Sequence, residues 1–364
     1  MGKVRYLILE DGSYFEGKAF GGDNFKIGKI ISNTSMLGYQ EILLDNKNSG
    51  KIVTLTYPMI GSYGITREGF ENMNPYIFGI IVGEKTDGPS NWKSQMTLNE
   101  YLQIKNIPAI EGIDTRMLAK KIKKSGELKA TFSDTIENLE DVVNELKISL
   151  LDENFIEKIS VNKPFRISNN GDKILVIDNG CVEEILRELN CRDKDISVVP
   201  YNFSSEDILK VHSKGVIISD GPGNPELMTK QVENIKKLIG NIPLFGIGLG
   251  HQLISQALDI KVRRLKYSKR GGNYPVKNIL TGKIKNVEMN NEFTLKKENL
   301  RKDVQITHID VNSGDVEGIK LDSSFINSIQ YKPVYFENEK IEEYETFYSN
   351  IAKFEISKKE KKNA

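Results

Sequence analysis

The sequence predicts an α/β chain of two domains: a β-rich mixed domain, then a largely parallel sheet flanked by helices. Three observations carry that reading. From Lys173 onward, short apolar runs alternate with helix-like segments, the β-α-β-α rhythm of a parallel sheet covered on both faces. The first 150 residues instead hold hairpin signals and short apolar runs punctuated by glycine. Residues 242–258, IPLFGIGLGHQLISQAL, pass from an apolar run through Gly246, Gly248 and Gly250 into helical spacing. That pattern is a buried strand, a very tight turn and a helix. In α/β enzymes such a turn lifts one residue above the sheet edge, where its side chain can attack a substrate. The residue at the tip is Gly248, which has no side chain to attack with.

In chain order, residues 4–20 read as a hairpin, because Asp11-Gly12 lies between VRYLILE and SYFEGKAF. Residues 30–44 and 51–57 add apolar, β-rich runs, with turns at Gly38, Gly61 and Gly64. PYIFGIIV, residues 75–82, is a further buried strand. Asp114 caps a short helix over 115–124 that Gly126 ends. These elements make a first domain of residues 1–150. Residues 151–170 lose periodicity and run into Ser168-Asn169-Asn170-Gly171, so they are expected to be a linker. The second domain, residues 171–364, has strands at 173–177, 196–199, 216–219 and 243–247, and helices at 182–189, 205–211 and 230–239. Active sites in such sheets lie at the carboxyl ends of the strands. Two loops occupy that edge: SDGPGNP at 219–225 and the Gly-rich turn around Gly248.

Composition excludes several function classes. The 364 residues suffice for two separate cores. With 51 Lys+Arg against 50 Asp+Glu there is no basic excess, so neither nucleic acid nor a membrane surface is an expected partner. The basic tail at 358–364 reads as a solvated end. No apolar stretch is long enough to span a bilayer, no export segment is recognisable, and the two cysteines fit a reducing, cytoplasmic setting. His212, His251 and His308, with two distant cysteines, form no zinc pattern, and no G-x-x-x-x-G-K-[ST] loop is present. No cofactor or metal is therefore expected in this chain. GIGLG lacks the G-x-G-x-x-G spacing of a dinucleotide fingerprint. Residues 336–354 suggest no function.

The stretch GIGLGHQ resembles the nucleophile elbow of class I glutamine amidotransferases. More narrowly it resembles that of the carbamoyl-phosphate synthetase small subunit, worded G-I-C-L-G-H-Q. Gly246, Ile247, Leu249, Gly250, His251 and Gln252 match. LEDGSYFEGKAFG, NTSMLGYQEILLD, IVTLTYPMIGSYG and GIDTRML in the first half, with SDGPGNPE and GGNYPVK in the second, extend the likeness along nearly the whole chain. The resemblance implies a small-subunit N-terminal domain and a class I glutamine-amidotransferase-like C-terminal domain. It also implies a large-subunit partner, which uses ATP and magnesium to make carbamoyl phosphate from bicarbonate and ammonia.

In that family a cysteine thiolate attacks the glutamine amide, backbone N–H groups hold the oxyanion, and a His-Glu pair moves protons. The corresponding positions here are Gly248, Lys332 and Val334, with IQYKPV standing against F-Q-G-H-P-E. A lysine would need its pKa lowered by roughly three units to act as a base near neutrality. Gly221, Gly223, Leu249, Gln252, Asn290 and Phe293 match the family's glutamine-binding positions. Lys47 departs from a serine and Glu292 from a glycine, so glutamine is expected to bind weakly if at all.

The resemblance thus implies a structural or allosteric subunit whose own glutaminase activity is lost. Two alternatives stand beside it: a working glutaminase with an unorthodox nucleophile, and a stand-alone regulatory or binding protein. For such a nucleophile, Cys181 and Cys191 read as small, semi-buried residues. Ser255 lies two helical turns past the tip, roughly 10 Å along the axis. Asp220, where asparagine is frequent, reads as a turn cap. His251 and His308 read as structural, and Lys332 as solvated or ion-paired. Glycine accepts the strained backbone of an elbow freely, so the fold is expected to survive the lost chemistry.

Overall fold

The computed structural model describes residues 2–36, 38–66, 75–333 and 340–363. The chain divides into two units, Met1–Glu153 with Lys266–Gly271, and Asn154–Leu265 with Gly272–Ala364.

In the first unit the strands are β1 (Val4–Leu9), β2 (Tyr14–Gly21), β3 (Gly28–Asn33), β4 (Lys51–Leu55), β5 (Met59–Ile60), β6 (Gly79–Ile81), β7 (Glu84–Lys85), β8 (Pro108–Glu111) and β9 (Lys129–Ser133). β5 and β7 pair with each other, and the rest close a barrel in the order β1-β2-β8-β6-β4-β3-β9. The Asp11-Gly12 hairpin forms as expected, with Val4 opposite Lys18 and Ile8 opposite Tyr14. The helices are α1 (Tyr39–Leu44), α2 (Leu98–Ile104), α3 (Thr115–Ser125) and α4 (Leu139–Ile148). In α3 the Asp114 carboxylate accepts from Met117 N at 2.9 Å, and Gly126 closes the helix. α1 corrects the β-rich reading of residues 30–44. Tyr39, Ile42 and Leu43 fall at helical spacing and are buried together, and that periodicity outweighs the strand preference of the individual residues.

The second unit holds a ten-stranded sheet, built from β10 (Phe165–Ile167), β11 (Lys173–Asp178), β12 (Asp195–Pro200), β13 (Gly215–Ile218), β14 (Leu244–Ile247), β15 (Val262–Asn278), β16 (Ile284–Leu295), β17 (Gln305–Asp310), β18 (Val316–Leu321) and β19 (Ile326–Ile329). The order is β10-β12-β11-β13-β14-β19-β18-β17-β15-β16. The run β12-β11-β13-β14-β19 is parallel, as the alternating pattern requires. From β19 through β18 and β17 to β15 the pairing is antiparallel.

The helices are α5 (Ile156–Ile159), α6 (Glu183–Cys191), α7 (Ser205–Lys210), α8 (Thr229–Leu238), α9 (Leu249–Ala257) and α10 (Glu342–Asn363). One core joins Ile208, Ile235 and Leu253 from α7, α8 and α9 to one face of the sheet; another joins Leu189, Tyr344 and Phe347 from α6 and α10 to the other. Full burial of each such side chain is worth about 1.5–3 kcal/mol. The segment expected as a plain linker carries α5 and β10, and β10 pairs antiparallel with β12 at the sheet edge. The C-terminal residues that gave no functional reading are largely α10, whose Phe347 stacks on Phe245 of β14 with ring centroids 5.7 Å apart.

Candidate active site

The elbow forms where the sequence places it. β14 ends at Ile247, and Gly248 takes φ 55° and ψ −110° before α9 begins at Leu249. A positive φ of this kind favours glycine. The tip is fixed from below, because Gly248 N donates to Ile329 O of β19 at 2.8 Å. Gly250 permits the tight approach of α9 to the sheet, since a Cβ there would fall 2.1 Å from Ile218 O.

Directly above Gly248 lies the loop that leaves β13. Asp220 Oδ1 accepts from Leu249 N and from Gly221 N, each at 2.8 Å. One N–H from the residue after an elbow tip, joined by one from a neighbouring loop, is the pair that receives the oxyanion in acyl transfer. In this chain the pair already holds a carboxylate. A Cβ built on Gly248 would meet Asp220 Cγ at 2.1 Å and both carboxylate oxygens at 2.2 Å. Asp220 therefore fills the space in which a nucleophile's side chain would begin. Its own backbone is tied down, with Cys181 N donating to Asp220 O at 3.1 Å and Ser219 Oγ donating to the same oxygen at 2.9 Å. Reading Asp220 as a turn cap thus captured its local bond to Gly221 N and missed its reach across to α9. The available signal was an acid in place of an amide, on the loop facing an elbow with no nucleophile.

Of the other two positions matched to the triad, Lys332 is among the described residues. Lys332 Nζ lies 2.5 Å from Glu184 Oε1 in the first turn of α6, and both side chains are partly solvated, so the lysine is ion-paired. Val334 lies outside the described residues. Tyr331, next to Lys332, is fully buried and donates its hydroxyl to Glu343 Oε1 at 2.5 Å. Glu343 is also paired with Lys285. Burial opposes the charge on Glu343, but the Lys285 ammonium and the Tyr331 hydroxyl more than offset it and hold its carboxyl below the ordinary glutamate range. Sequence reasoning missed this cluster because its members lie on β16, just past β19 and on α10.

The glutamine-pocket positions are partly gathered. Gly221 and Leu249 meet through Asp220, and Gly223 follows on the same loop. Gln252 Nε2 donates to Phe293 O at 3.4 Å and to Gln330 Oε1 at 3.2 Å. Asn290 is half-buried on β16. Glu292 is matched by Arg264 at 3.5 Å, whose guanidinium lies over the Phe293 ring at 5.0 Å, so its charge is balanced. Lys47 belongs to the first unit, in the 3-10 turn Asn46–Asn48 that Asp45 caps. None of the three stand-in nucleophiles gains support. Ser255 is buried and donates to His251 O at 2.7 Å, and Cys191 is exposed rather than semi-buried. Cys181 is half-buried.

His251, in the first turn of α9, is tied to the sheet. It is fully buried, with Nδ1 2.8 Å from Ser328 Oγ of β19. Burial, aided by His308, pushes it down to about 3. Burial likewise pushes His308 down to about 4, with Glu343 opposing and Lys285 assisting. Both are neutral when folded and bind a proton more readily when unfolded. Their contribution is complete above about pH 6.5, the unfolded value, and is lost as pH falls from there toward the folded values. Between pH 7 and pH 5 each should withdraw about 2 kcal/mol of stability. Urea unfolding of the second unit across that range checks this; a flat profile would contradict it.

Residues 7–132 match the family model for the carbamoyl-phosphate synthase small chain, CPSase domain, and residues 175–344 match that for class-I glutamine amidotransferase. The carbamoyl phosphate synthase pyrimidine-specific small chain of Bacillus subtilis is 42% identical over 329 residues, 90% of each chain. The small chain of Listeria innocua is 41% identical over 330 residues, 90% of this chain and 91% of that one. The pyrimidine-specific small chain of Halalkalibacterium halodurans is 43% identical over 332 residues, again 90% and 91%.

Proposed function

Because the chain belongs to the carbamoyl-phosphate synthase small-chain family, we propose that it is a small subunit whose own glutaminase chemistry is gone, and that it serves its complex as a structural or allosteric part. One observation supports the loss above all. The elbow tip is glycine, and the neighbouring Asp220 carboxylate occupies the two N–H donors that an oxyanion would need. The ion-paired Lys332 supports it further, since a lysine held by Glu184 is a poor base.

The partner is the large subunit, which would supply the ATP and magnesium chemistry while this chain carries no cofactor of its own. Glutamine binds weakly if at all, and free ammonia is the nitrogen source. Neither nucleic acid nor membrane is a partner, and the setting is the cytoplasm; among the described residues no helix is long and apolar enough to cross a membrane. Carbamoyl phosphate can feed arginine or pyrimidine synthesis, and two of the relatives above are pyrimidine-specific, which favours the second.

The test is carbamoyl-phosphate synthesis by the chain reconstituted with its large subunit, comparing glutamine with ammonium as donor. Ammonium should support synthesis and be used better with this chain than without it, while glutamine should give only the no-donor background. Comparable rates from both donors would overturn the proposal. A large subunit indifferent to this chain would favour the stand-alone regulatory reading.

A further inference from the structure

We propose that Asp220 is the residue that keeps this site shut. The missing sulfur at position 248 is only half of the inactivation; the other half is a carboxylate that has taken over both the donors and the volume of the old site. This rests on the reading above that the elbow is out of use, and it makes that disuse a property of two coupled residues.

Three observations carry it. The same oxygen of Asp220 accepts from Leu249 N and Gly221 N, so one carboxylate bridges the start of α9 to the loop after β13. Any side chain at position 248 would begin 2.1–2.2 Å from that carboxyl group, well inside contact distance. Swinging Asp220 aside is not a free rotation, because it breaks both backbone bonds and leaves one N–H at the start of α9 and one on the loop after β13 without this partner. Its main chain cannot yield easily either, since Cys181 N and Ser219 Oγ both hold Asp220 O. A thiol restored at the tip would therefore be crowded and placed against a fixed negative charge, which also disfavours the thiolate. Reversal of the glycine alone should yield a less stable chain with an unreactive sulfur.

The experiment is a cycle of Gly248→Cys, Asp220→Ala and the double variant in the full chain. It reads the iodoacetamide alkylation rate of the peptide containing residue 248, by mass spectrometry, and the urea midpoint. The exposed Cys191 in the same molecule is the reference thiol. With Gly248→Cys alone, residue 248 should be alkylated at least tenfold more slowly than Cys191. Adding Asp220→Ala should speed that reaction at least tenfold and raise the midpoint relative to Gly248→Cys. Gly248→Cys/Asp220→Asn, which removes the charge and restores the amide frequent at this position, should also react faster than Gly248→Cys alone. A Gly248→Cys variant that fails to fold while the double variant folds also supports the proposal. Equal alkylation and equal midpoints for the single and double variants would overturn it, as would failure of both to fold. Failure of the functional reading would show elsewhere, as ammonia released from glutamine by the unmodified chain.

Discussion

Incubated with glutamine, the purified chain is expected to release ammonia no faster than buffer. Deleting the nucleophile of a comparable acyl-transfer site lowers turnover by on the order of 10⁶. A residue of activity, roughly 10³–10⁴ over water, can survive such a deletion through the oxyanion donors and substrate binding alone. Here even that residue should be missing, because Leu249 N and Gly221 N are held by Asp220. Restoring the family wording with Gly248→Cys, Lys332→His and Val334→Glu should therefore fall far short of an ordinary glutaminase until Asp220 is changed as well. Coupled detection of glutamate reads the rate. Ammonia release that Cys181→Ser abolishes would transfer the chemistry to the half-buried thiol on the same sheet edge and revive the unorthodox-nucleophile reading.

Glu343→Ala should produce a large loss of stability for a change outside the hydrophobic core. Glu343 is buried, accepts from the Tyr331 hydroxyl and pairs with Lys285. Breaking a buried pair by removing one partner typically costs 3–5 kcal/mol. Lys285 keeps much of its solvation, so about 2–3 kcal/mol is the expected loss. The pH dependence has a definite sign. The Glu343 carboxyl titrates below the ordinary value of 4.5, so its stabilisation is present above that pH and is lost as pH falls through the folded value. Glu343→Gln should remove this acid limb while leaving the histidine effect between pH 7 and pH 5 in place. Urea midpoints of the two variants across pH 3–7 separate the two contributions, and unchanged midpoints at neutral pH would contradict the role given to Glu343.

Much of this was legible in the sequence for definite reasons. The strands and helices from Lys173 to α9 announce themselves by periodicity, and the elbow by its glycines. Asp114 and Gly126 marked both ends of α3. What stayed hidden depended on contacts between distant segments. The antiparallel half of the sheet follows no alternating rhythm. The Lys285–Tyr331–Glu343 cluster joins three elements far apart in the chain. Arg264, which neutralises Glu292, could not be paired with it from spacing alone. Asp220 was visible as a substitution, but only the fold shows its carboxylate lying over Gly248.

The most direct measurement is the intact mass of the purified chain after exposure to 6-diazo-5-oxo-L-norleucine, a glutamine analogue that alkylates amidotransferase nucleophiles. An elbow that ends in glycine beneath a carboxylate predicts an unchanged mass under conditions that fully label a working amidotransferase. A stoichiometric adduct that excess glutamine prevents, mapped to any residue of the second unit, would contradict it.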